Sequence, residues 1–223
     1  MAQLIHGLRA ADVRRNADEV RGEIAAAARR AGRDPDAVEL LAATKYVPDE
    51  EMPTLAQAGL RLVGENRAQD LERKVAASGG LFEWDFIGQL QSRRVRLIVP
   101  HVRLIHSVAS ESALRELERH AGLCRPGLRV LLEVNVARET GKAGIDPSEI
   151  DRYLERSPVP VAGLMTMPPA TDDPQESRPW FAALAELARA HRLEHLSMGT
   201  TQDYPVAVEE GATIVRIGTR LYR

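Results

Sequence analysis

Apolar side chains recur along residues 10 to 31 at Val13, Ala17, Val20, Ile24 and Ala28, spaced four, three, four and four apart, so they share one face of a helix. Gly32 supplies the C-terminal stop. Beyond it the pattern changes to short β-branched or aliphatic runs. Eight of these read as strands: Val38 to Ala43, Leu60 to Val63, Trp84 to Ile87, Leu104 to Val108, Arg129 to Val136, Val161 to Met165, His195 to Met198 and Thr213 to Ile217. Between them, residues 49–58, 66–78, 92–99, 110–122, 147–156, 175–192 and 203–210 read as helices.

Strict alternation of this kind predicts parallel strands joined by crossover helices. A doubly wound open sheet alternates too. Eight units in 223 residues, with no Gly-x-Gly-x-x-Gly turn after the first strand, favour closure into a (β/α)8 TIM barrel. Seven helices follow strands, and the additional N-terminal helix is expected to fill the eighth place. No low-complexity linker divides the chain, so one domain over residues 1–223 is expected, without a second catalytic domain.

A net charge of -2 leaves no basic footprint for nucleic acid or an anionic membrane. With no apolar run of spanning length and no signal-peptide pattern, the chain reads as cytoplasmic. The one cysteine, Cys124, lies in a connector and reads as a structural residue, not as part of a disulfide, a metal site or a nucleophilic dyad. Of the 30 basic residues only Lys45, Lys74 and Lys142 are lysines, and only lysine can shed its proton and attack a carbonyl. Lys74 sits in Asp70-Leu71-Glu72-Arg73-Lys74, which reads as a solvated helix face.

In such a barrel the site lies at the C-terminal ends of the strands. Strand 1 ends Ala42-Ala43-Thr44-Lys45, an apolar approach that should desolvate the amine and favour the neutral nucleophile; the plain alternative is a lysine opening a surface loop. Strands 7 and 8 end in Ser197-Met198-Gly199-Thr200-Thr201 and Arg216-Ile217-Gly218-Thr219, where glycines and hydroxyls together suit a phosphate nest. Arg216, two residues before Gly218, should point into the barrel mouth, as a phosphate counterion, opposite a heterocyclic nitrogen, or in an internal salt bridge. Asn66 in Gly64-Glu65-Asn66 is either a helix cap or a ligand contact. Glu139 and Lys142, in a glycine-rich loop after strand 5, are expected to pair.

Laid end to end, seven ordered segments resemble the YggS/PROSC family of pyridoxal 5'-phosphate (PLP) homeostasis proteins, which share the alanine racemase N-terminal barrel. They are Lys45-Tyr46-Val47-Pro48, Gly64-Glu65-Asn66, Phe86-Ile87-Gly88-Gln89-Leu90-Gln91, Val134-Asn135 with Glu139, Lys142 and Gly144, Gly163-Leu164-Met165, Leu196-Ser197-Met198-Gly199, and Val215-Arg216-Ile217-Gly218-Thr219. The resemblance implies a Schiff base between PLP and Lys45, Arg216 opposite the pyridine nitrogen, and Ser197, Thr201, Gly218 and Thr219 around the phosphate. With Asn66 and Gly199 these residues make up the candidate cofactor site. Asp85, Arg93-Arg94 and Thr200-Thr201 depart from the family, which often has His, Asn-Lys and Met-Ser there.

Three functions are open to such a site. The first, which the resemblance implies, is PLP buffering or delivery to PLP-dependent apo-enzymes by a monomer without committed catalysis. The second is a weak amino-acid racemase using Lys45 and one of Tyr46, Tyr204 or Tyr222 as its two bases. The third is a PLP-free Schiff-base aldolase that uses the same nest for a sugar phosphate.

Overall fold

In a computed structural model, which describes residues 4–78 and 80–223, eight parallel strands close into a barrel in sequence order. They are β1 (Glu39–Ala43), β2 (Leu62–Glu65), β3 (Glu83–Phe86), β4 (Leu104–Val108), β5 (Arg129–Glu133), β6 (Val161–Met165), β7 (His195–Thr200) and β8 (Ile214–Ile217). Closure is made by β1 against β8, with Leu41 level with Arg216. The fold is a (β/α)8 barrel, as the alternation predicts.

Around it run α1 (Ala10–Arg30), α2 (Met52–Gln57), α3 (Ala68–Ser78), α4 (Val95–Ile98), α5 (Glu111–Arg119), α6 (Ile150–Arg156), α7 (Arg178–Ala190) and α8 (Tyr204–Glu209). The five apolar positions read from the spacing of α1 are all buried. This helix packs on α8 and α2 and so occupies the eighth place in the outer ring. Several predicted helices are shorter than expected because their first turn is 3₁₀, as at Asp49–Glu51 before α2 and Ser92–Arg94 before α4.

Two apolar layers hold the shell together. The outer and larger one lies between strands and helices; the inner one fills the barrel with Leu41, Leu104, Leu131, Ala162, Met165 and Ile214. Truncating one of the fully buried leucines to alanine removes transfer energy and leaves a cavity, at a cost of about 2–5 kcal/mol. The inner layer is not wholly apolar, since Asp85, His106, Ser197 and Arg216 are buried inside the barrel as well.

One irregularity shapes the mouth. The pairing of β7 with β8 shifts register between Ser197 and Thr200, around Gly199 at φ 88°. An inserted residue of this kind bends a strand and re-aims the residues C-terminal to it, here Thr200 and Thr201. Gly199 could not carry a side chain: a Cβ there would lie 2.6 Å from that of Ala207 on α8.

Candidate functional site

A cavity of about 430 Å³ opens at the C-terminal ends of the strands. Its wall takes Lys45 from the end of β1, Asn66 from the end of β2, Met167 from the end of β6, Thr200, Thr201 and Gln202 from the end of β7, and Arg216, Gly218 and Thr219 from β8. Ala43, Tyr46, Ile87 and Tyr222 complete it. Of the candidate cofactor residues read from sequence, Lys45, Asn66, Thr201, Arg216, Gly218 and Thr219 therefore share one wall.

Lys45 is exposed, with its ammonium 4.6 Å from the centre of the Tyr46 ring. The apolar enclosure expected of it is not formed, because the run Leu40 to Ala43 turns its side chains into the barrel and shell while Lys45 leaves from the rim. It is the only lysine on the cavity wall among the described residues.

Lys74 corrects the sequence reading. It is 2% exposed on the inner face of α3 with Leu71 and Ser78, and it forms a buried ion pair with Glu65. Its ammonium also donates to the Thr44 carbonyl at 2.8 Å. The Glu65 carboxylate accepts the Thr44 hydroxyl at 3.1 Å and the Asn66 backbone N–H at 2.8 Å. One carboxylate thus ties together the residues immediately beside Lys45 and at Asn66, whose side-chain oxygen is left buried without a partner.

Arg216 is 7% exposed and donates to the Ser197 carbonyl at 2.8 Å, to the Ser197 hydroxyl and to the Thr166 carbonyl at 3.3 Å. No carboxylate lies within salt-bridge distance of it among the described residues, so the internal salt bridge is not what the barrel builds. Burial pushes the guanidinium down to about 10, against the pull of Asp203 and Glu133, and it remains a cation at neutral pH. Glu133 is buried on β5, its carboxyl raised by burial and pulled back by Arg216 and Lys142.

Ser197 and Gly199 lie off the cavity wall. The Ser197 side chain points into the barrel, where its hydroxyl meets Arg216 and His106, and Gly199 packs against α8. Of the residues read from sequence as a phosphate nest, Thr201, Gly218 and Thr219 line the cavity, with Thr200 beside them. In it the Thr201 hydroxyl accepts the Gly218 N–H at 3.2 Å. Glu139 and Lys142 pair at 2.5 Å, as expected, away from this wall.

Sequence reasoning missed the polar chain beneath Arg216. His106 on β4 meets the Ser197 hydroxyl through Nδ1 at 2.8 Å and Asp85 on β3 through Nε2 at 3.1 Å. Arg103 binds Asp85 at 2.9 Å and Glu39, at the floor of β1, at 2.7 Å. The available signal was a histidine and an aspartate at inward positions of apolar strands, where an unpartnered polar group is costly.

Known proteins resemble this chain in sequence and in fold. Residues 49–223 match the family described as alanine racemase, N-terminal domain. A pyridoxal phosphate homeostasis protein of Aquifex aeolicus is 42% identical over 207 residues, spanning 88% of this chain and 91% of its own length. That of Pseudomonas aeruginosa is 39% identical over 216 residues, 93% of each. Among solved structures, PipY of Synechococcus elongatus with PLP bound superimposes with a TM-score of 0.78 at 32% identity, over 95% of this chain and 100% of that one. Alanine racemase from Corynebacterium glutamicum shares the fold, with a TM-score of 0.64 at 16% identity over 99% of this chain and 63% of that one. With its barrel, its strand-end lysine and these relatives in view, the chain belongs to the pyridoxal phosphate homeostasis protein family.

Proposed function

We propose that this protein holds PLP on Lys45 in the mouth cavity and buffers it or delivers it to apo-enzymes, without a committed reaction of its own. The observation that carries the reading is the convergence, on one wall of about 430 Å³, of a single accessible lysine and a guanidinium with no carboxylate partner. The wall suits the cofactor in other ways. Asn66 has an unpartnered buried oxygen, and the hydroxyls of Thr201 and Thr219 offer donors for a phosphate.

PLP supplies an aldehyde that condenses reversibly with a primary amine and a pyridine ring that acts as an electron sink when its nitrogen is protonated. Arg216 would face that nitrogen as a hydrogen-bond donor. A group that keeps its own proton at neutral pH does not protonate a pyridine, which argues against strong carbanion stabilisation. Two of the three tyrosines open to the role of second base fit poorly, which leaves Tyr46 on the wall. Tyr204 is off the wall and donates to Glu23, and burial, with Glu65 nearby, raises the Tyr222 hydroxyl far above the neutral range. The protein would act as a monomer. We place it in the cytoplasm with the apo-enzymes it would serve; no helix among the described residues is long and apolar enough to cross a membrane.

The test loads the protein with PLP, removes the excess and presents it to a PLP-dependent apo-enzyme alongside a phosphatase that destroys free PLP. Delivery predicts reactivation that survives the phosphatase. Amino acids incubated with the loaded protein in D2O should exchange their α-proton no faster than with free PLP. Rapid exchange would instead establish a racemase, and failure to take up PLP would leave the sugar-phosphate aldolase.

A further inference from the structure

Arg216 is held by a single-file polar chain that crosses the barrel: Arg216 to Ser197, Ser197 to His106, His106 to Asp85, Asp85 to Arg103, Arg103 to Glu39. Ser197, His106 and Asp85 are fully buried, so each donor and acceptor must find its partner within the chain. Only one arrangement of protons satisfies them all. Asp85 accepts from Arg103, so the His106 Nε2–H donates to Asp85. Nδ1 is then left as an acceptor, the Ser197 hydroxyl donates to it, and the Ser197 oxygen is free to accept from Arg216. A protonated His106 would turn Nδ1 into a donor and leave the buried Ser197 O–H without an acceptor. Burial holds the imidazole below its ordinary range, against the pull of Asp85, which agrees with the neutral form.

We infer that His106 is a positioning residue for the cofactor site: through the Ser197 hydroxyl it fixes where Arg216 presents its guanidinium, and Asp85, anchored by Arg103, fixes the tautomer that lets it do so. No carboxylate contacts Arg216 directly: its remaining partners are a backbone carbonyl of Ser197, one of Thr166 and the Met167 sulfur, with Asp203 and Glu133 acting only at longer range. The inference rests on the PLP reading for its effect on the loaded protein, whereas the tautomer itself is a property of the free protein.

Two measurements keep those apart. In the free protein, ¹⁵N NMR of the histidine rings, with His106 assigned by its absence in His106→Leu, should show a neutral ring carrying its proton on Nε2. A proton on Nδ1 overturns the inference whether or not PLP binds. In PLP titrations, His106→Leu should weaken binding about tenfold or more, as expected for loss of support to a hydrogen-bonded charge, and should shift the visible absorption maximum. His106→Gln, whose amide can accept from Ser197 and donate to Asp85, should restore both. Leu131→Ala, a core truncation inside the same barrel, should lower stability and leave the absorption maximum in place.

Should His106→Leu not fold, Ser197→Ala cuts the same link by one oxygen atom and is expected to show the same shift. If these variants fold and bind PLP with wild-type affinity and spectrum, His106 is a satisfied core residue and the inference fails. If the wild type binds no PLP, the cofactor reading fails and the NMR result alone decides the tautomer.

Discussion

The Lys74 ammonium and the Glu65 carboxylate are buried against each other directly behind the end of β1, with side-chain exposures of 3% and 0%. Neither touches the cavity, yet between them they hold the Thr44 carbonyl, the Thr44 hydroxyl and the Asn66 N–H. The pair joins two neighbouring strand ends and sets where Lys45 and Asn66 leave the barrel. Lys74→Met leaves a buried carboxylate without its counter-charge, which costs about 3–5 kcal/mol. Urea unfolding should show a loss of that size, and a loss under about 1 kcal/mol would mean that the pair is solvated in solution.

Thr201 and Gly218 bear on the phosphate rather than on the ring. Thr201→Val removes the hydroxyl that accepts the Gly218 N–H while keeping the shape of the side chain. Affinity for PLP should fall about tenfold, whereas affinity for pyridoxal, which lacks the phosphate, should hardly change. Equal losses for the two ligands in parallel titrations would place the phosphate elsewhere.

Tyr222 lines the cavity with a buried hydroxyl that has no hydrogen-bond partner. Tyr222→Phe removes an unsatisfied polar group without changing the packing, so thermal stability should stay level or rise by up to about 1 kcal/mol. PLP binding should be retained. A marked loss of stability would show that the hydroxyl has a partner in solution.

Glu133 gives a pH signature. Burial raises its carboxyl above the ordinary carboxylate range, against Arg216 and Lys142, so the folded protein holds this proton more tightly than the unfolded chain. Stability from this group is present below the ordinary carboxylate range and is lost as pH rises through the raised value. Glu133→Gln should therefore be more stable than wild type at neutral pH, with the gap closing as pH falls. Melting curves across that range check the sign, and a gap that widens in acid would reverse it.

Much of the site is legible in the sequence, for reasons that individual residues make plain. Lys45, Thr201, Arg216, Gly218 and Thr219 sit at strand ends, and in a parallel barrel strand ends converge whatever the packing detail. The limits are set by register and by contacts distant in sequence. Ser197 and Gly199 are only a few residues from Thr201, but the bulge between Ser197 and Thr200 sends the first into the barrel and packs the second on α8. Lys74 is hidden by its charged neighbours Asp70, Glu72 and Arg73, although its spacing from Leu71 and Ser78 marks the inner face of α3. His106 meets partners 21 and 91 residues away, which no local pattern records.

The site stands or falls on Lys45. Borohydride reduction of the protein mixed with PLP, with peptide mass mapping of the product, reads the attachment point directly. Attachment at Lys45 predicts a phosphopyridoxyl mass on the peptide that carries it, no label on Lys74 in the folded protein, and loss of the reducible visible band in Lys45→Ala. A band that survives in Lys45→Ala, with the label on Lys142 or the N-terminus, would contradict it.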